Sequence, residues 1–502
     1  MTKQPQRPRS TARTALSAIS ACSAVALLSL AASACSKPGL DRQIVDESAA
    51  ALGGRQRLID LKTIVIEGEG TNGNLGQDMT PEATGEIFEL FGYRRSIDVN
   101  AGRVRIEQTR TPNFVYFQGP QPQLQIVGVD GDVGYTLGAD GTTTRVSDAV
   151  AKDRLRDLYH HPLTAVRAAL LDGAKLSNPR TASGQRIVEV LTDRRIPFTL
   201  ATDERTHLPT RVVSMTDNPN LGDVAIETTF ADYRDVNGLK MPFHITTKTD
   251  RYLTADIRVK KQFFDGLVGD LNAPVAVRTA TPIVGPPPAV VTAEEVAKGV
   301  WFLAGQSHHS VLVEFADHLT LVEAPQNEVR ALAVIRKAKE LRPDKPLTEV
   351  VNTHHHFDHS GGLRAAVSEG LTVYTRRNNI AFYQSALTKP HMIAPDRLTR
   401  NRRPLKLEPV DDERTLHDDA MTMTLYHISG SAHADTLLMA YLPKEKILVE
   451  ADVYSPQAAI QPYAANLIEN IKEHGLAVDR ILPIHGTITS YAELLKTQTP
   501  QK

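Results

Sequence analysis

The run from His354 to His359, His-His-His-Phe-Asp-His, constrains this chain more than any other feature of its sequence. It directly follows residues 350–353, Val-Val-Asn-Thr, a run typical of a buried strand. Because side chains alternate along an extended backbone, His354 and His356 should face one side and His355 the other. Two imidazoles on one side of a strand end indicate a metal site.

The two remaining polar side chains of the run, Asp358 and His359, fall at the turn that follows. They lie near enough in sequence to hold a second cation beside the first. The pair Gly361-Gly362 allows a sharp turn before a helix over residues 363–367. Imidazoles and carboxylates without a thiolate suit zinc and similar divalent ions.

The segments around this run alternate between strand and helix patterns. Residues 311–313 and 319–322 are mostly apolar and predict a strand hairpin. A helix follows, with apolar residues recurring from Ala331 to Leu341 and an end before Pro343. This alternation predicts an α/β sandwich for the C-terminal half.

The pattern His-x-His-x-Asp-His after a strand resembles the signature of the metallo-β-lactamase superfamily. Three later motifs follow in the family's order: Gly430–Asp435, Tyr441–Asp452 and Ile481–Gly486. The resemblance implies that residues 292–495 form an αββα sandwich of the α/β class. It also implies a hydrolase in which two metal ions share an activated hydroxide.

The same resemblance implies two divalent metal ions, with Zn²⁺ favoured, and seven protein ligands. By position in the motifs, these are His354, His356 and His433 for the first ion, Asp358, His359 and His485 for the second, and Asp452 bridging both. Asp358 is also the predicted catalytic residue, taking a proton after attack. Ala451 stands where the family usually has glycine, so backbone geometry beside Asp452 should differ.

Residues 42–270 have the pattern of strands separated by tight turns. Short β-rich runs include residues 64–66, 103–106, 114–117 and 187–190. Hairpin-forming dipeptides separate them, and these are Asn72-Gly73, Asp130-Gly131, Asp140-Gly141 and Asn237-Gly238. One helix is predicted around Ala149 to Leu171. This half should be a mainly antiparallel β domain, joined to the next by an extended, proline-rich linker over residues 271–291.

The stretch from Leu208 to Phe243 resembles periplasmic lipoprotein-carrier half-barrels. That resemblance implies a concave face able to hold an apolar ligand, although a purely structural domain fits the pattern equally well. His160-His161 has no carboxylate or histidine at ligand spacing and is interpreted as surface or core filling. His308-His309 lies at the edge of the predicted metal site, where a substrate-facing role stays open.

Residues 1–35 have the pattern of an export signal. Four basic residues precede an apolar run from Ala15 to Leu30, and small residues precede Cys35. The last part resembles the bacterial lipoprotein box, which implies a lipid on Cys35 and a membrane-anchored protein of the periplasm or outer membrane. Cleavage after Ala34 without lipid, or an uncleaved anchor helix, stays open.

Together these features predict an exported two-metal hydrolase acting on a small ester, lactone or amide-like molecule. One alternative is an iron-dependent sulfur or redox relative of the same fold, because iron accepts the same nitrogen and oxygen ligands. Another is a periplasmic ligand-binding lipoprotein whose metal domain is structural. The net charge of -1 gives no reason to expect a nucleic acid partner.

Overall fold

The first half of the chain forms one antiparallel sheet. The computed structural model describes residues 39–115 and 121–498. Within them, the sheet has 13 strands in the order β6-β5-β4-β3-β2-β1-β13-β12-β11-β10-β9-β8-β7. These strands are β1 Thr63–Gly73, β2 Ile87–Asp98, β3 Arg103–Pro112, β4 Gln123–Asp130, β5 Val133–Leu137, β6 Thr143–Arg145, β7 Lys175–Ala182, β8 Gln185–Leu191, β9 Pro197–Asp203, β10 Pro209–Asn218, β11 Gly222–Val236, β12 Leu239–Thr249 and β13 Tyr252–Phe264. The predicted antiparallel β region is confirmed.

Three of the four predicted hairpin dipeptides connect neighbouring strands, and the fourth does not. Asn237 and Gly238 both have positive φ (49° and 82°), as a tight hairpin turn requires. Asn72-Gly73 instead belongs to β1, and the connection to β2 runs through residues 74–86. The prediction of a tight turn there was wrong because both residues pair with β2 and Asn72 also pairs with β13.

Helices cover one face of this sheet. They are α1 Leu40–Leu52, α2 Arg55–Asp60, α3 Asp148–Asp157 and α4 Pro162–Leu170. The single helix predicted over 149–171 is therefore two, because the residue before Pro162 is extended (φ -148°, ψ 139°). The helices α1 and α2 were not predicted. Their apolar side chains share a core with α4 and the sheet, so helices of the chain itself cover this face of the sheet. The apolar ligand stays a prediction.

Two other predicted segments differ from the observed chain. Phe114 and Val115, predicted as strand, form a bend, and the remainder of that run lies outside the described residues. The proline-rich stretch contains a short helix, α5 Val275–Thr279, rather than being extended throughout. Pro274 stands just before it, where a proline costs the helix no hydrogen bond.

The C-terminal half is built from two further sheets. The first has seven strands: β14 Thr292–Ala297, β15 Val300–Ala304, β16 Ser310–Glu314, β17 Leu319–Val322, β18 Leu347–Val351, β19 Thr372–Arg376 and β20 Leu407–Val410. The second has six: β21 Glu413–His417, β22 Thr422–His427, β23 Leu438–Leu442, β24 Ile447–Glu450, β25 Arg480–Pro483 and β26 Thr489–Ser490. The helices are α6 Glu328–Leu341, α7 Phe357–Ser360, α8 Leu363–Ser368, α9 Ile380–Ala386, α10 Arg397–Arg400, α11 Ala464–Glu473 and α12 Tyr491–Lys496, and a 3₁₀ turn spans Arg377–Asn379.

Apolar side chains hold these layers together in the order helix, sheet, sheet, helix. Between the sheets, Val313 and Val351 share a buried cluster with Leu425 and Val449. Helices α6, α8 and α9 cover the outer face of the first sheet. Helices α11 and α12 cover the outer face of the second. The predicted αββα sandwich is confirmed.

The two halves share a hydrophobic core. Leu221, Val224 and Tyr252 of the N-terminal half belong to the same buried cluster as the helices beside β17 and β18. The predicted domain limits at 270 and 292 stay a prediction. No described helix combines the length and apolar character needed to cross a membrane. The predicted export signal and Cys35 lie outside the described residues.

Candidate metal centre

Two groups of potential ligands lie at one edge of the sandwich, in loops and in the short helix α7. The first group consists of His354, His356, His433 and Asp452, whose ligand atoms all lie within 4.8 Å of one another. His354 and His356 follow β18, His433 precedes β23, and Asp452 follows β24. The Asp452 Oδ2 atom lies 3.0 Å from His433 Nε2 and 3.6 Å from His354 Nε2.

The second group consists of His308, Asp358, His359 and His485, again within 4.8 Å of one another. Asp358 and His359 belong to α7, His485 follows β25, and His308 lies between β15 and β16. The Asp358 Oδ2 atom lies 3.2 Å from His308 Nε2 and 3.8 Å from His359 Nε2.

Asp452 contacts both groups. Besides its contacts in the first group, its Oδ2 atom lies 3.0 Å from His359 Nε2 and its Oδ1 atom 2.8 Å from His485 Nε2. Asp452 has a φ of 65°. The unusual backbone geometry predicted beside Asp452 therefore occurs at Asp452 itself. The buried Glu450 carboxyl group accepts hydrogen bonds from the backbone amides of the two residues after Asp452, Val453 N at 3.3 Å and Tyr454 N at 3.2 Å, and so holds this turn.

Several histidines of the groups have a second hydrogen-bond partner that orients the ring. His359 Nδ1 lies 3.1 Å from the buried Glu323 carboxylate, and His485 Nδ1 lies 2.8 Å from the Ser307 carbonyl oxygen. His356 Nε2 lies 3.0 Å from the Asp78 carbonyl oxygen, which belongs to the N-terminal half. Such partners fix which ring nitrogen faces the centre.

The ring nitrogens that lack a hydrogen-bond partner are suited to bind a cation. Within the described chain, His354 Nε2 and His356 Nδ1 are buried and have no hydrogen-bond partner. Burial lowers the pKa of both rings well below the ordinary histidine value, so they stay neutral with a free lone pair. Buried polar atoms without partners are rare in folded proteins, and a divalent ion bound here would give both nitrogens a partner.

The two carboxylates of the centre stay ionised despite burial. Burial would raise the pKa of Asp452, but His359 and His485 outweigh it and hold that pKa well below its usual range. Burial likewise opposes ionisation of Asp358, and His359 together with the hydrogen bond from His308 lowers its pKa. Anionic carboxylate oxygens and imidazole nitrogens together form the mixed set that zinc accepts.

All seven predicted ligands lie in these two groups, and His355 does not. The His355 ring turns away and its Nδ1 atom lies 2.7 Å from Thr436 Oγ1. The sequence indicated only a possible role at the site edge for His308, but it is an eighth member of the centre. The only signal for it in the sequence was its position just before a predicted strand. His160 is buried between Thr228 and Ser214, consistent with core filling.

The glycine pair after the histidine run is needed for close packing. A turn separates α7 from α8 at Gly361 and Gly362, as predicted, but both residues have negative φ, which residues other than glycine also adopt. A Cβ atom on Gly361 would lie 2.1 Å from the Gln326 carbonyl oxygen, and one on Gly362 would lie 2.4 Å from that of Ala324. The pair allows α7 and α8 to approach the backbone that follows β17.

Comparison with known protein families agrees with this geometry. The sequence model of the metallo-beta-lactamase superfamily matches part of the chain. The matched residues are 304–453. The predicted resemblance is confirmed, and the matched segment includes every member of the two groups except His485. No curated protein sequence matches the chain.

Solved metallo-β-lactamases are similar to part of this chain. The mono-zinc form of FIM-1 from Pseudomonas aeruginosa is 18% identical, with a TM-score of 0.34, and the match covers 42% of this chain and 95% of that one. The enzyme from Pontibacter korlensis is 17% identical, with a TM-score of 0.34, and covers 42% and 100%. The enzyme from Hirschia baltica is 16% identical, with a TM-score of 0.32, and covers 41% and 95%.

Proposed function

We propose that this protein is a binuclear zinc hydrolase acting on a small ester, lactone or amide-like substrate. One observation carries the proposal, namely two adjacent four-residue groups of imidazole and carboxylate ligands that share contacts through Asp452. The absence of thiolates from both groups favours Zn²⁺ or another borderline divalent ion.

The two carboxylates of the centre would have different roles, since both would hold cations but only Asp358 would also move a proton. Zinc ions held by these residues would lower the pKa of bound water toward 7 and would polarise a substrate carbonyl. Asp358 lies at the edge of the second group, and its side chain is 37% exposed, whereas that of Asp452 is 12% exposed. We assign to Asp358 the proton taken from the attacking water, and Gln77 orients this carboxylate by donating to its Oδ1 atom at 2.7 Å.

A substrate panel tests the proposed reaction. We expect purified, zinc-loaded protein to turn over one class among chromogenic esters, lactones, β-lactams and phosphodiesters. The Asp358→Asn variant should retain bound zinc better than it retains turnover, because an amide cannot take the proton. Bound iron with redox activity would favour the redox relative. A wild-type chain with two zinc ions and no turnover of any class would favour a binding protein instead.

We also propose export and lipid attachment at Cys35. The support is the basic, apolar and small-residue order of residues 1–35. In a Gram-negative host, wild-type protein should fractionate with membranes and carry a lipid mass on its first residue. A Cys35→Ser variant should lose that mass and leave the membrane fraction. Soluble wild-type protein beginning at residue 35 without added mass would refute lipid attachment.

A further inference from the structure

A segment of the N-terminal half lies directly against the candidate metal centre. Residues 74–86 connect β1 to β2 and extend from the N-terminal sheet toward α7. The Gly76 carbonyl oxygen accepts a hydrogen bond of 3.0 Å from Phe357 N, and the Met79 carbonyl oxygen accepts one of 2.9 Å from Asp435 N. The segment therefore contacts the loops that carry ligands of both groups.

The segment keeps its own shape and its attachment to the sheet. The buried Asp78 carboxylate accepts hydrogen bonds of 2.8 Å from Met79 N and from Glu86 N. The Tyr252 hydroxyl, from β13, donates to the Pro81 carbonyl oxygen at 2.7 Å. These bonds hold the segment at a fixed position relative to the sheet, rather than leaving a free loop.

Two of its residues bond to predicted metal ligands. The Asp78 carbonyl oxygen accepts from His356 Nε2 at 3.0 Å, which leaves His356 Nδ1 directed at the first group. Gln77 Nε2 donates to Asp358 Oδ1 at 2.7 Å, which leaves Asp358 Oδ2 for the second group. Each bond fixes a different group, and each comes from the same short segment.

We propose that residues 74–86 are a positioning element of the metal centre, so that the N-terminal domain is required for full metal affinity. Gln77 orients Asp358 in the second group, and the Asp78 carbonyl orients His356 in the first. This inference rests on the proposed two-metal function. Partners of metal ligands commonly change metal affinity by about 10–100-fold when removed.

Gly76 provides a way to displace the whole segment. It has a φ of +77°, and a Cβ atom there would lie 2.2 Å from Cγ of the Phe357 ring. Gly131, in another hairpin, also has a positive φ, +63°, but a Cβ atom on it would meet nothing within 4 Å. Gly131→Ala therefore matches the backbone strain of Gly76→Ala without the contact at Phe357.

Zinc titration of the metal-free full chain against a chelating dye tests the proposal, with circular dichroism and thermal unfolding as folding controls. We expect Gln77→Ala to lower the affinity for one of the two zinc ions by about 10–100-fold and to leave the affinity for the other within twofold of the wild-type value. Gly76→Ala should lower both affinities, and Gly131→Ala should lower neither. If Gly76→Ala does not fold, Gln77→Ala decides the matter by itself.

The outcomes separate this inference from the proposed function. Two zinc ions bound equally well by wild type and Gln77→Ala would overturn the positioning role and leave the two-metal site intact. Equal loss of both ions in Gln77→Ala would also overturn it, because Gln77 contacts only the second group. A wild-type chain that binds no zinc would overturn the proposed function together with this inference.

Discussion

Replacing Asp452 with asparagine is expected to abolish turnover and to weaken the binding of both metal ions. The Asp452 carboxylate lies within 3.0 Å of histidines in both groups, so it is the link between the two predicted ions. Asparagine keeps the shape and tolerates the positive φ of 65°, whereas alanine would add backbone strain. The loss of affinity should exceed the roughly 100-fold limit typical of partners outside the ligand set.

Metal analysis after dialysis, together with the rate on the best substrate, measures this effect. Asp435→Ala is the matched control, because Asp435 is an exposed carboxylate near the centre but outside both groups. It should keep wild-type zinc and wild-type rate. Two tightly bound ions and a normal rate in Asp452→Asn would remove Asp452 from the centre.

Replacing His308 with alanine is expected to release one ion selectively. His308 is 6% exposed, and its ring centroid lies 4.1 Å from that of His485. Arg330 donates to the His308 carbonyl oxygen at 2.9 Å, which fixes the backbone. Ser307 Oγ lies 2.9 Å from His308 Nδ1 and can accept a hydrogen bond from it. In that tautomer, His308 Nε2 has a free lone pair for the cation.

Zinc titration of His308→Ala and His309→Ala compares adjacent histidines. His309 lies outside both groups, and its Nδ1 accepts a hydrogen bond of 3.2 Å from Gly305 N. His308→Ala should lower the affinity for one ion by more than about 100-fold, as befits a direct ligand rather than an outer partner. His309→Ala should leave both affinities within a few-fold. Unchanged titration of His308→Ala would reduce His308 to a hydrogen-bond donor to Asp358.

The sandwich and most of the centre could be predicted because their signals are local in sequence. The run from His354 to His359 and the motifs around His433, Asp452 and His485 each carry a short pattern, and the family order links them. His308 has no such pattern. It joins the second group because β15 and β16 are paired next to β17, which brings its loop beside α7.

The contact between the halves could not be predicted from local patterns at all. Asn72-Gly73 has the composition of a tight turn, but pairing with β2 and β13 continues β1 past Asn72. Residues 74–86 consequently lie beside the metal centre. There Gln77 forms a hydrogen bond with Asp358, and the Asp78 carbonyl oxygen forms one with His356. Such contacts depend on tertiary packing, because their partners lie far apart along the chain.

The metal content and metal dependence of the purified wild-type protein test the central claim most directly. Elemental analysis should find two zinc ions per chain. Chelation should abolish hydrolysis, and added zinc should restore it. Wild-type turnover by protein shown to be free of metal would contradict the account.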